Sequence, residues 1–376
     1  DGRGHPPQGS EDATSMFLRL ARGPATEDER KALENFLAPN MPDPVYGGQL
    51  QDKAIPGLLA EGKMVIKYED QPFTFPDGTE VTLRKPSYSA ENLNYGPLAP
   101  DTSVSPRVAN PMIGMGLLQA IHPADLIAHA DPDDADGDGI SGRVALARGT
   151  KLDAPVIGRF GWKAQNASIR EQSGEAFAGD IGISNPVVPR SHGDCMPAQE
   201  ECLVRPTGVQ KRLGDTEAPD PIMDLVTFYS ENLAVPARRD YDAPDVLRGK
   251  EMFYSLGCTS CHRPKFVTSR KTGNKAHAFQ LIWPYSDMLL HDMGEGLADG
   301  QIVGIASGSE WRTAPLWGIG LTETVSGHTF FLHDGRARNL EEAILWHGGE
   351  AEASRNAYAT LEKKDRDALI RFLNSL

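Results

Sequence analysis

The stretch Gly257-Cys258-Thr259-Ser260-Cys261-His262 is the most informative part of this chain. Two cysteines separated by two residues and followed by histidine form the C-x-x-C-H pattern that attaches c-type haem. The spacing suits that chemistry because the two thiols add to the two porphyrin vinyl groups and the turn between them places the histidine beneath the iron. The motif therefore predicts one covalent haem c, bound through Cys258 and Cys261 with His262 as an iron ligand.

Two other uses of a C-x-x-C pair compete with haem. A thioredoxin-like pair follows a strand in a βαβ unit, whereas the residues from Asp242 to Leu256 predict a helix. A zinc site needs four ligands, usually from a second pair, and the sequence has no second C-x-x-C. The remaining cysteines, Cys195 and Cys202, lie in a polar loop. They predict either a disulfide, which needs an oxidising compartment, or two free thiols.

Charge and composition narrow the class of protein. The chain has 376 residues and a net charge of −14, which argues against binding nucleic acid and suits a soluble protein that meets a basic redox partner. No stretch approaches the roughly 20 apolar residues of a membrane helix. The sequence begins without an initiator methionine, which is typical of a processed or truncated form. Together with the disulfide, this predicts a periplasmic or otherwise exported protein.

The pattern of elements predicts two domains in a mainly α chain with a small β-hairpin insertion. Residues 1–238 form the first domain and residues 239–376 the second, each expected to be cytochrome-c-like. The first 25 residues predict loop, and alternating residues on both sides of Pro76-Asp77-Gly78 predict the hairpin. Thr26 and Asn339 predict helix N-termini.

The second axial ligand has several candidates downstream of the motif. His347 shares one helical face with Leu340, Ala343 and Ile344, and an imidazole on an apolar face needs a partner inside the fold. That partner is either the haem iron or a backbone carbonyl in an ordinary core. The other candidates are His277, Met288, His291, Met293, His328 and His333.

Two further polar segments predict binding residues. In the turn that begins at His333, Arg336 is expected either to pair with a haem propionate or to lie in solvent. The Asp-rich loop from Asp134 matches the first half of a calcium loop, and its alternative is an exposed acidic turn, since Ala145 stands where the bidentate glutamate is expected. Its predicted Ca²⁺ ligands are Asp134, Asp136, Asp138 and the carbonyl of Ile140.

Long and unusual stretches over essentially the whole chain resemble a bacterial family of di-haem oxidoreductases, the putative peroxidases also called "thiol oxidoreductases". This family is distantly similar to the di-haem cytochrome c peroxidases. The resemblance implies that the C-terminal haem transfers electrons and that His347 is its distal ligand, so that this haem has two histidine ligands and a low potential. The stretches are DPDDADGDGISGR (131–143), GRFGWKA (158–164), IWPYSDMLLHDMG (282–294), SGSEWRTAPLWGIGLT (307–322) and FLHDGRARNLEEAILWHGGEA (331–351).

The chain departs from that family in one respect. The family has two C-x-x-C-H motifs and this sequence has one, while DGRGHPP at positions 1–7 resembles the segment directly after the family's first motif. The resemblance implies a second, peroxide-activating haem attached upstream in the full-length protein. It also implies a distal acid or base on the helix after residue 164, where Glu175 and Asp180 are the nearest carboxylates.

The sequence thus predicts a c-type haem oxidoreductase of the di-haem peroxidase type. A small redox protein would be its electron partner and hydrogen peroxide its substrate, and enzymatic activity is expected of the full-length protein. Two alternatives remain open: a simple electron-transfer cytochrome c, and a haem-free metal-binding structural protein.

Overall fold

The fold is described by a computed structural model over residues 3–7, 13–149 and 154–376. Its α-helices are α1 Glu27–Glu34, α2 Met115–Gln119, α3 Pro123–Ile127, α4 Ile169–Ile181, α5 Glu200–Leu203, α6 Asp220–Glu231, α7 Pro244–Ser255, α8 Thr322–Ser326, α9 Leu340–Leu345, α10 Glu352–Ala359 and α11 Lys363–Ser375. Its strands are β1 Met16–Ala21, β2 Lys63–Thr74, β3 Glu80–Glu91, β4 Ser103–Val108, β5 Leu146–Arg148, β6 Pro155–Ile157, β7 Phe266–Val267, β8 Leu281–Ile282, β9 Leu290–Asp292 and β10 Glu310–Arg312.

The predicted fold class, a mainly α chain of two tandem cytochrome-c-like domains, is wrong. Helices account for only 28% of the chain and strands for 18%, the latter in small sheets. Every sheet among the described residues has two antiparallel strands. The 28 prolines and 38 glycines of the sequence explain the difference, because both residue types interrupt helices and favour turns.

The β-hairpin is confirmed. Strands β2 and β3 pair in one register from Lys63 opposite Glu91 to Thr74 opposite Glu80, and Gly78 at the tip has a left-handed backbone. The tip packs on the C-terminal helix, where Arg366 donates to Asp77 Oδ2 at 2.8 Å. The hairpin, although distant in sequence, therefore contributes to the core around the cysteine motif.

That core forms mainly between helices α7 and α11. Phe253 of α7 packs on Phe372 of α11, with ring centroids 5.3 Å apart, and Phe75 and Tyr358 belong to the same apolar cluster. At Gly249 a Cβ atom would lie 1.9 Å from the carbonyl oxygen of Ala368. The two helices are thus in backbone contact, which fixes the end of α7 from which the cysteine motif begins.

The predicted helix N-termini are confirmed. Thr26 and Glu29 form the capping box of α1, and Asn339 accepts the backbone N–H of Glu342 at the start of α9. The prediction of loop over the first 25 residues is wrong, because β1 lies there and pairs with β4. In that strand the alternating residues of Met16–Ala21 place apolar side chains in a small core.

The disulfide between Cys195 and Cys202 is also confirmed, with Cα atoms 6.4 Å apart. Within the part of the chain that is described, no helix combines the length and the apolar character needed to cross a bilayer. The domain boundary near residue 238 stays a prediction.

Candidate haem-binding site

The cysteine motif lies immediately after α7, where the helix stops and the chain turns. Gly257 adopts a left-handed backbone (φ 79°), and Cys258–Ser260 form one turn of 3₁₀ helix. Both thiols are free and both line one large cavity. Burial raises the pKa of Cys258 to about 12 and also raises the pKa of Cys261. The pair follows helix α7 instead of the strand of a βαβ unit, so it does not resemble a thioredoxin site.

Two histidines face each other beside these thiols. The rings of His262 and His347 have centroids 6.4 Å apart and are inclined by 48°. His262 Nδ1 donates to the carbonyl of Tyr285 at 3.0 Å, and His347 Nδ1 donates to the carbonyl of Ala343 at 2.7 Å. Because a carbonyl oxygen only accepts, each Nδ1 carries the proton and each Nε2 keeps its lone pair.

Burial favours the neutral form of both rings. It lowers the pKa of His262 to about 4, with the nearby His347 as a second cause, and it lowers the pKa of His347. Neutral imidazole is the form that binds metal ions, and a backbone carbonyl on the other nitrogen is the usual way of orienting such a ligand. Each ring keeps some exposed surface because it faces the cavity.

The spacing of the two rings suits one metal ion between them. A metal–imidazole bond is about 2 Å long, so two axial nitrogens lie about 4 Å apart with the ring centres further back, which is compatible with the observed 6.4 Å. The sequence predicted that His347 lies on α9, and this is wrong. It lies just past the end of the helix, where its backbone N–H still bonds to Ile344.

The cavity is large and its wall is basic. Its volume is about 2010 Å³, twice the upper end of the roughly 300–1,000 Å³ of ordinary ligand pockets. Ten arginine or lysine side chains and six carboxylates are among the described residues that line it, although the chain as a whole has a net charge of −14. A large, mostly apolar ligand with several anionic groups fits such a space, as haem does with its propionates.

A buried cluster of charges and aromatic rings borders the same cavity. Asp299 forms ion pairs with Arg107 at 2.7 Å and Lys163 at 3.0 Å. Both cations lie over the ring of Trp311, at 4.4 and 4.6 Å from its centre. His333 also stacks on Trp311, with centroids 3.8 Å apart and an angle of 14° between the rings. Burial, ahead of the neighbouring charges, lowers the pKa of His333 to about 3.

Comparison with protein families settles the family of the chain. Residues 8–376 match the model described as "Di-haem oxidoreductase, putative peroxidase". This chain belongs to the di-haem oxidoreductase family. The resemblance found in the sequence is confirmed, and haem binding follows from it at the level of the family. No curated protein and no solved structure matches the chain.

The predicted acid–base residues of this di-haem oxidoreductase lie in the cavity. Glu175 and Asp180 are both on α4 and both line it. Each carboxyl is accessible because it faces open space, yet burial by the surrounding protein raises its pKa, while Arg19 acts in the opposite direction. A raised carboxyl pKa suits proton transfer near neutral pH, but the catalytic role of each stays a prediction.

Arg336 of the di-haem oxidoreductase is buried and bonded to protein. Its guanidinium donates to Asp334 Oδ2 at 2.8 Å and to the carbonyl of Gly296, and it lies over the ring of Trp346. The sequence left open whether Arg336 lies in solvent, and the structure shows that it does not. The pairing with a propionate stays a prediction.

The Asp-rich loop gathers carboxylates, but in a different set from the one predicted. Oxygen atoms of Asp131, Asp134 and Asp136 lie within 4.8 Å of one another. Asp138 instead accepts the backbone N–H of Ile140 at 2.9 Å. These four carboxylates and the carbonyl of Ile140 remain candidates only, because backbone N–H groups already occupy oxygens of the three clustered residues.

The sequence did not single out the Asp299 cluster of this di-haem oxidoreductase. Lys163, Trp311 and His333 each lie in one of the distinctive stretches, and the fold brings the three together. Arg107 and Asp299 lie outside them. No local signal distinguishes these two from surface charges, since their burial results only from tertiary packing.

Proposed function

We propose that this di-haem oxidoreductase is an exported peroxidase-type enzyme that binds one c-type haem through Cys258 and Cys261, with His262 and His347 as axial ligands. Haem held here would receive electrons from a small redox protein, and a second haem would supply the chemistry that reduces hydrogen peroxide. The observation that supports this most is the pair of facing histidines, each with a free Nε2, in the cavity that also holds both thiols.

In this proposal the residues of the chain bind the haem, orient its histidine ligands and exchange protons with the substrate. Haem, when bound, supplies one-electron redox chemistry. The carbonyls of Tyr285 and Ala343 fix the orientation of the two imidazoles, and the basic wall balances the propionates. Glu175 or Asp180 accepts and returns a proton at the peroxide oxygens.

One observation favours a second candidate, a simple electron-transfer cytochrome. The sequence holds a single C-x-x-C-H motif, and one haem without an open coordination position exchanges electrons but binds no peroxide. Haem content and reaction with peroxide separate the two candidates.

The test uses the full-length protein, expressed with its export signal in a bacterium that matures c-type cytochromes. We expect two covalent haems per chain in a pyridine haemochrome assay of the periplasmic fraction, and rapid oxidation of the reduced protein by hydrogen peroxide. A two-haem protein that does not react with peroxide contradicts the peroxidase proposal, and a haem-free periplasmic protein contradicts haem binding altogether.

Carboxamide variants identify the proton donor in the same assay. Glu175→Gln or Asp180→Asn should slow the reaction with peroxide about 100-fold, the lower end of general acid–base effects. The control is Glu27→Gln, because Glu27 is an exposed carboxylate on α1 that pairs with Arg30 and Lys31 of the same helix. Unchanged rates in both cavity variants would remove both residues from the mechanism.

The proposal of export is supported by the disulfide between Cys195 and Cys202, since disulfides persist mainly in oxidising compartments. The negative net charge supports a basic electron partner through complementary surfaces. Such docking weakens as ionic strength rises.

The Asp-rich loop is proposed as a Ca²⁺ site, supported by the three clustered carboxylates Asp131, Asp134 and Asp136 and by the preference of Ca²⁺ for oxygen ligands. Adding Ca²⁺ to protein that a chelator has freed of metal ions should raise its melting temperature. Asp134→Asn should abolish that increase, and Asp215→Asn, at an exposed carboxylate paired with Lys211, should not. A melting temperature that does not respond to Ca²⁺ in the unsubstituted protein contradicts the site.

A further inference from the structure

His291 occupies a buried position between two carboxylates beside the haem-attachment loop. Only 3% of its surface is exposed. Its Nε2 donates to Asp287 Oδ2 at 2.8 Å and its Nδ1 donates to Glu350 Oε2 at 2.6 Å. Burial opposes a charge on this ring, but the hydrogen bonds to Asp287, Cys261 and Glu350 outweigh burial and raise the pKa of His291. His291 is therefore an imidazolium, because both of its nitrogens donate to carboxylates.

One carboxylate contacts the segment that contains His262, and the other lies in the segment that contains His347. The backbone N–H of Asp287 donates to the carbonyl of Cys261 at 2.9 Å, so one side of the network reaches the residue next to His262. Glu350 lies in the short turn that follows His347. The Nδ1 atom of His291 is also 3.6 Å from the Cys261 sulphur.

The turn after His347 is held by contacts with other segments of the chain. Helix α9 has ended before it, and Gly348 and Gly349 allow the backbone wide freedom. Glu350 is the first residue after them with side-chain anchors: besides His291, it accepts from Ser141 Oγ at 2.8 Å. Glu350 therefore anchors the turn that follows His347, while the carbonyl of Ala343 orients the ring of His347 itself.

Backbone packs closely against the imidazolium and against β9 at two glycines. A Cβ atom at Gly142 would lie 2.6 Å from Cε1 of His291, and one at Gly349 would lie 2.3 Å from the carbonyl oxygen of Asp292. The ring is thus enclosed by backbone on one side, and the turn after His347 rests directly on β9. Two glycines allow this close approach.

We propose that His291 is a positioning residue of the haem site, which holds the turn after His347 against the attachment loop by bonding simultaneously to Glu350 and Asp287. The inference rests on the proposed function, because it takes His262 and His347 as the axial pair. It assigns His291 no contact with iron or substrate. Its effect is to hold the segment of His347 beside the segment of His262.

The experiment compares spectra of the haem-loaded full-length protein and of its variants. In His291→Asn, which keeps one donor and loses the charge, we expect a mixture of low-spin and high-spin ferric haem at the C-terminal site. Binding of carbon monoxide to the reduced haem should become about ten-fold faster, as the displaced His347 competes less well. His277→Asn is the matched control, since His277 lies in a separate pocket by α2 and its ring bonds to no carboxylate among the described residues.

Each outcome separates this inference from the proposed function. If His347→Ala produces a high-spin haem and His291→Asn retains the unaltered low-spin spectrum and binding rate, the positioning role is wrong and the ligand pair stands. If His347→Ala changes nothing, the ligand pair is wrong and this inference is overturned with it. Should His291→Asn not accumulate as folded protein, Glu350→Gln decides: it removes the negative charge but keeps the shape, and an unaltered binding rate overturns the proposal.

Discussion

His347→Ala is expected to convert the C-terminal haem from low-spin to high-spin, because it removes the only imidazole that faces His262 among the described residues. The reduction potential should rise by on the order of 100 mV, within the roughly 0.8 V over which axial ligands tune haem. The ferric absorption spectrum and a redox titration measure both effects. In the unsubstituted protein, burial lowers the pKa of both histidines, to about 4 for His262, which favours the neutral, metal-binding form of each ring.

The matched control is Met293→Leu. Met293 lines the same cavity and was a candidate ligand from the sequence, but leucine replaces its side chain without a polar change and the spectrum should stay low-spin. The ligand assignment is contradicted if His347→Ala keeps its low-spin spectrum, and Met293 becomes the ligand if its variant is then high-spin.

Asp299→Asn should lower the free energy of unfolding by about 3–5 kcal/mol, because it removes the shared anion of two buried cations. The carboxylate side chain is 1% exposed, and its partners Arg107 and Lys163 are 7% and 1% exposed. Neither cation has another carboxylate within ion-pair distance among the described residues. Urea unfolding of the variant and of the unsubstituted protein under the same conditions measures the difference.

The pH dependence of this effect has a defined sign. Burial raises the pKa of Asp299, but Arg107 and Lys163 outweigh it and lower the pKa to about 2, against about 3.9 in an unfolded chain. The stabilisation is therefore complete above about pH 4 and is lost as pH falls toward 2. Asp215→Asn, at an exposed ion pair, should change stability by less than about 0.5 kcal/mol. A similarly small change in Asp299→Asn would show that the two cations do not depend on it.

Features that depend on neighbouring residues were predictable. The C-x-x-C-H motif, the hairpin turn at Asp77 and Gly78, and the helix cap at Asn339 each act through side chains a few positions apart, so the sequence alone contains their chemistry. The overall fold class was not predictable in this way. The long loops and two-stranded sheets owe their stability to contacts between distant segments, and helix signals near the motif do not reveal them.

The candidate site was predictable in part for the same reason. His347 was preferred because of its helical face and the family resemblance, yet it lies just past the helix end, where its ring bonds back to the carbonyl of Ala343. The sequence treated His291 as one of several candidate ligands, whereas the fold encloses it between two carboxylates. A histidine's role depends on which groups surround both ring nitrogens, and these groups come from other segments.

The sequence by itself determined the C-x-x-C-H motif and the family of this chain, because both are properties of residue identity and order. Only the tertiary structure decided that His347 faces His262 and that Asp287 and Glu350 enclose His291. It also decided that Asp299 neutralises the two cations that lie over the ring of Trp311. The physical reason is that covalent attachment needs reacting groups at adjacent positions, whereas axial pairing and the neutralisation of buried charge need groups that only folding brings together.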